Sequence, residues 1–239
     1  MLIPKSKSGK LVNYIGSGLV LAYLGLIIYP NVLFAHSVRY KQFNIHSTQS
    51  IGSEIYAILD QANDRLSASE VADKSTRHKI YLCNDYRLFT FLAPFSRTAF
   101  ACNYAVLGNI FIAKADISLN EAYKNNDADQ YTRSLSGLIT HESTHSLIRK
   151  KIGLLNYSRL STWKDEGYCD YISHGKLMDM QEAREYLKEH KTDKRPGTDY
   201  RRYYLAVNYL LGVKNIRFDD LLATKQSFDE VLRLLETEQ

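Results

Sequence analysis

The sequence predicts an α+β fold, a short mixed sheet followed by a helical half, with one transmembrane helix in front. Three patterns carry that expectation. Leu11 to Tyr29 reads LVNYIGSGLVLAYLGLIIY without a charge, and short runs rich in branched and aromatic residues fall between Val38 and Ala113. Beyond Asp129 nearly every segment spaces its apolar residues as a helix does. Hydrophobic residues at 45% and charged residues at 24% suffice to close one packed core, and roughly 200 residues beyond the anchor make one domain of ordinary size.

The uncharged span comes first. In a helix its length matches a hydrocarbon core of about 30 Å, and Pro30 supplies a stop. A cleaved signal peptide and a buried core helix are the competing readings. A signal peptide's apolar region is usually shorter and Leu33-Phe34-Ala35 makes a poor cleavage site, so an uncleaved anchor is expected. Lys5, Lys7 and Lys10 precede the span while Arg39 and Lys41 follow at a distance, which puts the N-terminus in the cytoplasm and the rest in the periplasm or outside the cell. The chain thus divides into residues 1–35, cytoplasmic N-terminus and anchor, and residues 36–239, a single globular domain.

Within that domain Val38 to His46 alternates loosely and reads as a strand, and Ile51 to Leu66 reads as a helix. HKIYLC, ending at Cys83, and GNIFIA, Gly108 to Ala113, read as strands. Helices follow at Tyr131 to Lys151 with Gly153 as its stop, Trp163 to Ser173 with Gly175 as its stop, Met180 to His190 and Asp199 to Leu211. A closing helical pair ends the chain, its last member, Phe228 to Leu235, opened by a Ser227-x-x-Glu230 capping box.

The formal charge of +5 raises nucleic acid or anionic lipid as partners. Apart from the lysines before the span, however, the basic residues fall in short runs: Arg149 to Lys151, Lys194 with Arg195, and Arg201 with Arg202. Runs this short read as solvated surface, so no nucleic-acid partner is expected. The three cysteines have no CxxC spacing, which argues against a zinc knuckle or a thioredoxin-like pair. In an exported domain one disulfide is permitted, with Cys83 and Cys102 the preferred pair.

Chemistry concentrates in GLITHESTHSLIRKK, where His141, Glu142 and His145 form an H-E-x-x-H on a helical stretch. Residues four apart share a helix face, so both imidazoles reach one ion while Glu142 addresses a water beside it. The bland alternative is a surface helix with two unrelated histidines and a glutamate. STWKDEGYCDYISHG weighs against it, because Glu166 stands twenty-one residues after His145 near the start of another helix. Catalytic zinc keeps three protein ligands and an open position, and His2Glu is one such set, giving His141, His145 and Glu166 as metal ligands for Zn2+. Asp170, on the same helical face as Glu166, can accept from the second nitrogen of a ligand histidine. His36, His46, His78, His174 and His190 show no ligand-like spacing.

On HESTH, the W-K-D-E-G around Glu166 and the later Asp170, the chain resembles the gluzincin metallopeptidases, over about thirty residues. The similarity extends more weakly to the strand GNIFI and the tyrosine-bearing helix after Asp199. The resemblance implies a compact zincin domain in which the strand before the zinc helix binds extended substrate. It also implies a Tyr or His from a later helix that steadies the transition state. Tyr200, Tyr203 and Tyr204 share a helical face with Val207, Leu210 and Leu211, and Tyr200 and Tyr204 are the preferred candidates beside the general base Glu142, although packing in the core is an equally good reading of each. No G-x-M-E-N segment is present, which favours an endopeptidase over an aminopeptidase. The expected function is hydrolysis of peptide bonds in protein or peptide substrates by a membrane-anchored zinc enzyme. The rival is an inactive peptidase-fold binding or scaffolding module.

Overall fold

The computed structural model describes residues 7–124, 132–174, 179–190 and 198–237. The fold is α+β with a mixed sheet. In front stands α1 (Lys7–Ile28), of which Lys10–Ile28 is long and apolar enough to cross a membrane and is not buried by the rest of the chain.

The stretch expected as one strand from Val38 to His46 is a hairpin. Strand β1 (His36–Tyr40) turns back antiparallel into β2 (Phe43–Ser47). The turn is Lys41-Gln42, with Lys41 at φ +48°, a left-handed conformation usually announced by Gly or Asn. Lacking that cue, the alternation reads straight through.

Helix α2 (Ile55–Ser67) buries Ile55, Ile58, Leu59, Ala62 and Leu66 and returns the chain to β3 (His78–Leu82), parallel to β2. Next comes α3 (Tyr86–Leu92), whose N-cap Asp85 accepts from the Arg87 amide. Strand β4 (Ala101–Asn103) then forms an edge, antiparallel to β5 (Asn109–Ile112), which itself runs parallel to β3. The order is β1-β2-β3-β5-β4. Ile80, Leu82, Ile110 and Ile112 face the main core, while Tyr81, Cys83 and Phe111 face a smaller one with Phe34, Phe89 and Leu92. This is the two-residue alternation of a sheet covered on both faces.

That order disposes of the expected disulfide, since Cys83 and Cys102 are free thiols. Cys83 follows β3 and Cys102 lies on β4, with β5 between them. Two strand spacings, about 9–10 Å, exceed the reach of a disulfide.

A second, antiparallel sheet holds β6 (Lys114–Asp116), β7 (Glu121–Tyr123) and β8 (Thr132–Ser134). Strand β8 runs directly into α4 (Leu135–Ile152), whose N-cap Ser134 accepts from the Gly137 amide. The helix therefore starts later than Tyr131, which lies outside the described residues. It ends at Gly153, at φ +80°.

The remaining helices are α5 (Leu154–Tyr157), α6 (Thr162–His174), α7 (Met180–Glu189), α8 (Thr198–Asn208), α9 (Phe218–Ala223) and α10 (Phe228–Thr237). Gly175, the expected stop of α6, lies outside the described residues. A π-turn at Tyr209–Val213 extends α8, and the Ser227–Glu230 capping box opens α10 with Ser227 N donating to Glu230 Oε2 at 2.6 Å. Packed against α4 is α6, which in turn lies against α8 at Gly167; a Cβ there would sit 2.5 Å from Tyr203 O and 2.6 Å from Val207 Cγ2. The bare backbone of Gly167 lets the two helices meet, and this seats the neighbouring Glu166 against α4.

Candidate metal centre

Helix α4 presents His141 and His145 one turn apart, and α6 presents Glu166 to both. His141 Nε2 lies 3.2 Å from His145 Nε2 and 3.2 Å from Glu166 Oε2, and His145 Nε2 lies 3.8 Å from Glu166 Oε2. Both imidazoles are buried.

The opposite nitrogens are engaged as well. His141 Nδ1 is 2.8 Å from Asp170 Oδ1, and Arg133 Nη2 donates to that same oxygen at 2.8 Å. His145 Nδ1 is 3.0 Å from Asp165 Oδ1, while Tyr157 donates to Asp165 Oδ2 at 2.6 Å. A carboxylate acceptor fixes each Nδ1 as the protonated nitrogen, which turns both Nε2 lone pairs towards Glu166.

Three lone-pair atoms this close repel one another unless a cation or proton sits among them. Zinc bonds of about 2.0–2.2 Å at tetrahedral angles place donor atoms about 3.3–3.6 Å apart, and the donors here bracket that spacing. The charges point the same way. Burial alone depresses the His141 imidazolium, but Asp170, with Glu166 and Glu142, outweighs it and lifts the pKa to about 10. Burial likewise opposes ionisation of Asp170, yet His141 and Arg133 hold its carboxyl well below the usual range. The cluster is thus an acidic cage that demands positive charge.

Buried His141, His145 and Cys169 form a group able to hold a metal ion, and His145, Asp165 and Glu166 form an overlapping one. Cys169 Sγ contacts His145 at Nδ1, 3.2 Å away, on the side of the ring facing Asp165. Burial first, and the surrounding carboxylates second, push its thiol well up. Glu166 Oε2, by contrast, stands on the Nε2 side of both rings.

The other anticipated residues separate. Glu142 is buried beside the site, and its backbone oxygen accepts from Asn103 Nδ2 at 2.6 Å, pinning α4 to β4. No hydrogen bond engages its carboxylate among the described residues. Tyr200 is half-exposed, and after burial the carboxylate of Glu166 is the first group that raises its pKa, with Asp170 and Glu142 contributing. It therefore sits within the field of the cluster. Tyr204 is buried, stacked on His174 at 4.6 Å with the Arg201 guanidinium 5.3 Å from its ring. Its ring belongs to the packing around α6 and α8.

Two residues at the centre were not anticipated, Asp165 and Tyr157. WKDEG held the signal for Asp165, because a second candidate histidine ligand would need its own acceptor; Tyr157, in a one-turn helix, carried none. The strand GNIFI also falls elsewhere than expected. As β5 it is internal and fully buried, and the edge beside α4 belongs to β4. No protein-family model matches the chain, and no curated protein matches it.

Proposed function

We propose that the chain is a membrane-anchored zinc metallopeptidase of gluzincin type, probing extended polypeptide and cutting internal peptide bonds. The supporting observation is the convergence of His141, His145 and Glu166 within 3.2–3.8 Å, each imidazole backed by its own carboxylate. His141, His145 and Glu166 would hold the zinc. When bound, zinc supplies a Lewis acid that acidifies water and polarises a carbonyl.

The residues of the chain perform the rest. Glu142 takes a proton from the attacking water and returns it to the departing amine, so that a C–O bond forms, the C–N bond breaks and the carboxylate is regenerated. Asp170 and Asp165 hold the two imidazoles in one tautomer. Tyr200 supplies the hydroxyl that steadies the tetrahedral oxygen. The open edge of β4 offers backbone groups to which an extended substrate adds as a strand.

Metal analysis and peptide-library cleavage by the full-length chain in detergent test this reading. The expected result is near-stoichiometric zinc in both wild type and Glu142→Gln, with cleavage falling about 10²–10⁴-fold in the variant. Zinc without cleavage by the wild type would favour the binding module. Absence of bound zinc removes the proposal altogether.

A further inference from the structure

Large apolar side chains stand exposed where the domain meets the end of α1. Tyr29 and Val32 lie at the 3-10 turn Pro30–Leu33, Phe91 and Phe95 on α3 and the loop after it, and Val106 on the turn between β4 and β5. Phe95 is 99% exposed and Val106 81%. Polar contacts tie these segments to one another. Tyr23, inside the last turns of α1, donates to Phe91 O at 2.8 Å and meets the Phe91 ring edge-on at 5.0 Å. Asn109 Nδ2 donates to Ile27 O at 3.0 Å, Tyr104 to Leu92 O at 2.7 Å, and Tyr81 to Asn31 Oδ1 at 2.7 Å.

We propose that Tyr29, Val32, Phe91, Phe95 and Val106 form a lipid-contacting foot that seats the domain on the bilayer interface around the C-terminal end of α1. The inference rests on α1 spanning the membrane. Continuity is the first argument. Tyr23 lies five residues before Ile28, about 7 Å back along the helix axis, so Phe91 touches α1 within its apolar span and not beyond its end. Apolar tips beside a helix that leaves the hydrocarbon meet the headgroup and upper acyl region.

Charge is the second. Residues 1–53 and 86–115 contain no Asp or Glu, whereas Arg87 and Arg97 are exposed beside the apolar tips. A rim carrying Arg87 and Arg97 around apolar tips, with Asp85 at the start of α3 as the acidic residue next to that stretch, suits an anionic lipid surface. The foot also bears on the metal centre. Strand β4 runs between two lipid-facing loops, and Asn103, bonded to the Glu142 backbone, is three residues from Val106, at most about 10 Å of extended chain. The open strand edge is thereby held close to the lipid.

Depth-resolved fluorescence tests the foot. The full chain is reconstituted into vesicles of phosphatidylcholine and phosphatidylglycerol with one tryptophan added at Leu19, Phe95, Val106 or Val213, and bromine is placed on the lipid near the headgroup or near the chain end. Native Trp163, buried against Phe228, is a constant background. For Phe95→Trp and Val106→Trp, bromine near the headgroup is expected to lower the added emission about twofold, and more than bromine near the chain end. Leu19→Trp should respond most to the deep bromine, and Val213→Trp, on the helical half, to neither. Quenching at Leu19 with none at Phe95 and Val106 overturns the foot and leaves the anchor standing. No quenching at Leu19 overturns both, and equal quenching at Val213 and Phe95 overturns the foot.

Discussion

Each imidazole of the candidate metal centre has one nitrogen tied to a carboxylate and one turned towards the other side chains of the cluster, and the tie decides how well they would be aimed at an ion. Replacing Asp170 by Asn removes the charge that anchors His141 and leaves Arg133 without its partner. Metal affinity measured by chelator competition should fall about 10–100-fold, with Asp165→Asn acting similarly through His145; unchanged affinity in both would remove their orienting role. Asp170 was legible from its spacing to Glu166 on one helix face. Asp165 went unread although it stands in WKDEG, because it is adjacent to Glu166 and points about 100° away from it around the helix. A second residue-scale effect lies outside the site. Burial holds His78 down to about 4, against an ordinary 6.5, with Asp73 and Lys150 as lesser influences. Between those values the unfolded chain binds a proton that the folded chain refuses, so stability is full above pH 6.5 and declines as pH falls towards 4. The loss is bounded at about 3 kcal/mol. Denaturant midpoints at pH 4.5 and 7 should lie closer together in His78→Leu than in the wild type, and equal separations would refute the assignment.

At the scale of elements, the site is the contact between α4 and α6, and α8 holds that contact closed. Gly167 lets α8 approach, so Gly167→Ala drives a methyl into the Tyr203 carbonyl and must part the helices. Thermal or denaturant unfolding should show a loss of about 1–3 kcal/mol, together with weaker metal binding because Glu166 moves with the helix. A fully stable variant with native affinity would mean that α6 is positioned by something else. Helices and the two strongly apolar strands could be read from periodicity because each repeats its signal over several residues. The three-residue strands β4, β6, β7 and β8 could not, since two or three positions establish no alternation and their pairing partners are distant in sequence. The hairpin at Lys41 escaped for a related reason, its left-handed residue being one that seldom marks a turn.

For the whole molecule, α1 and the domain are joined without a linker, so in a membrane-anchored chain the side on which the domain lies would follow from the direction in which α1 crosses. With α1 as an anchor, the lysines before the span lead us to propose that the domain lies outside the cytoplasm. In intact cells Gln49→Cys, in an exposed loop, should react with an impermeant thiol reagent beyond the wild-type level, and labelling only after lysis would reverse the orientation. Local order along the chain was enough to mark the apolar span, the H-E-x-x-H on its helix, the distant Glu166 and the carboxylate one turn further on, because a helix converts spacing directly into a shared face. Only the tertiary structure decided that β4 and not β5 is an open edge, that Cys83 and Cys102 stay apart, that Tyr200 lies within the field of Glu166 while Tyr204 packs on His174, and that Asp165 and Tyr157 join the cluster. Those outcomes depend on which distant segments lie side by side, and strand order and helix contacts are set by burial of the whole core rather than by any local repeat.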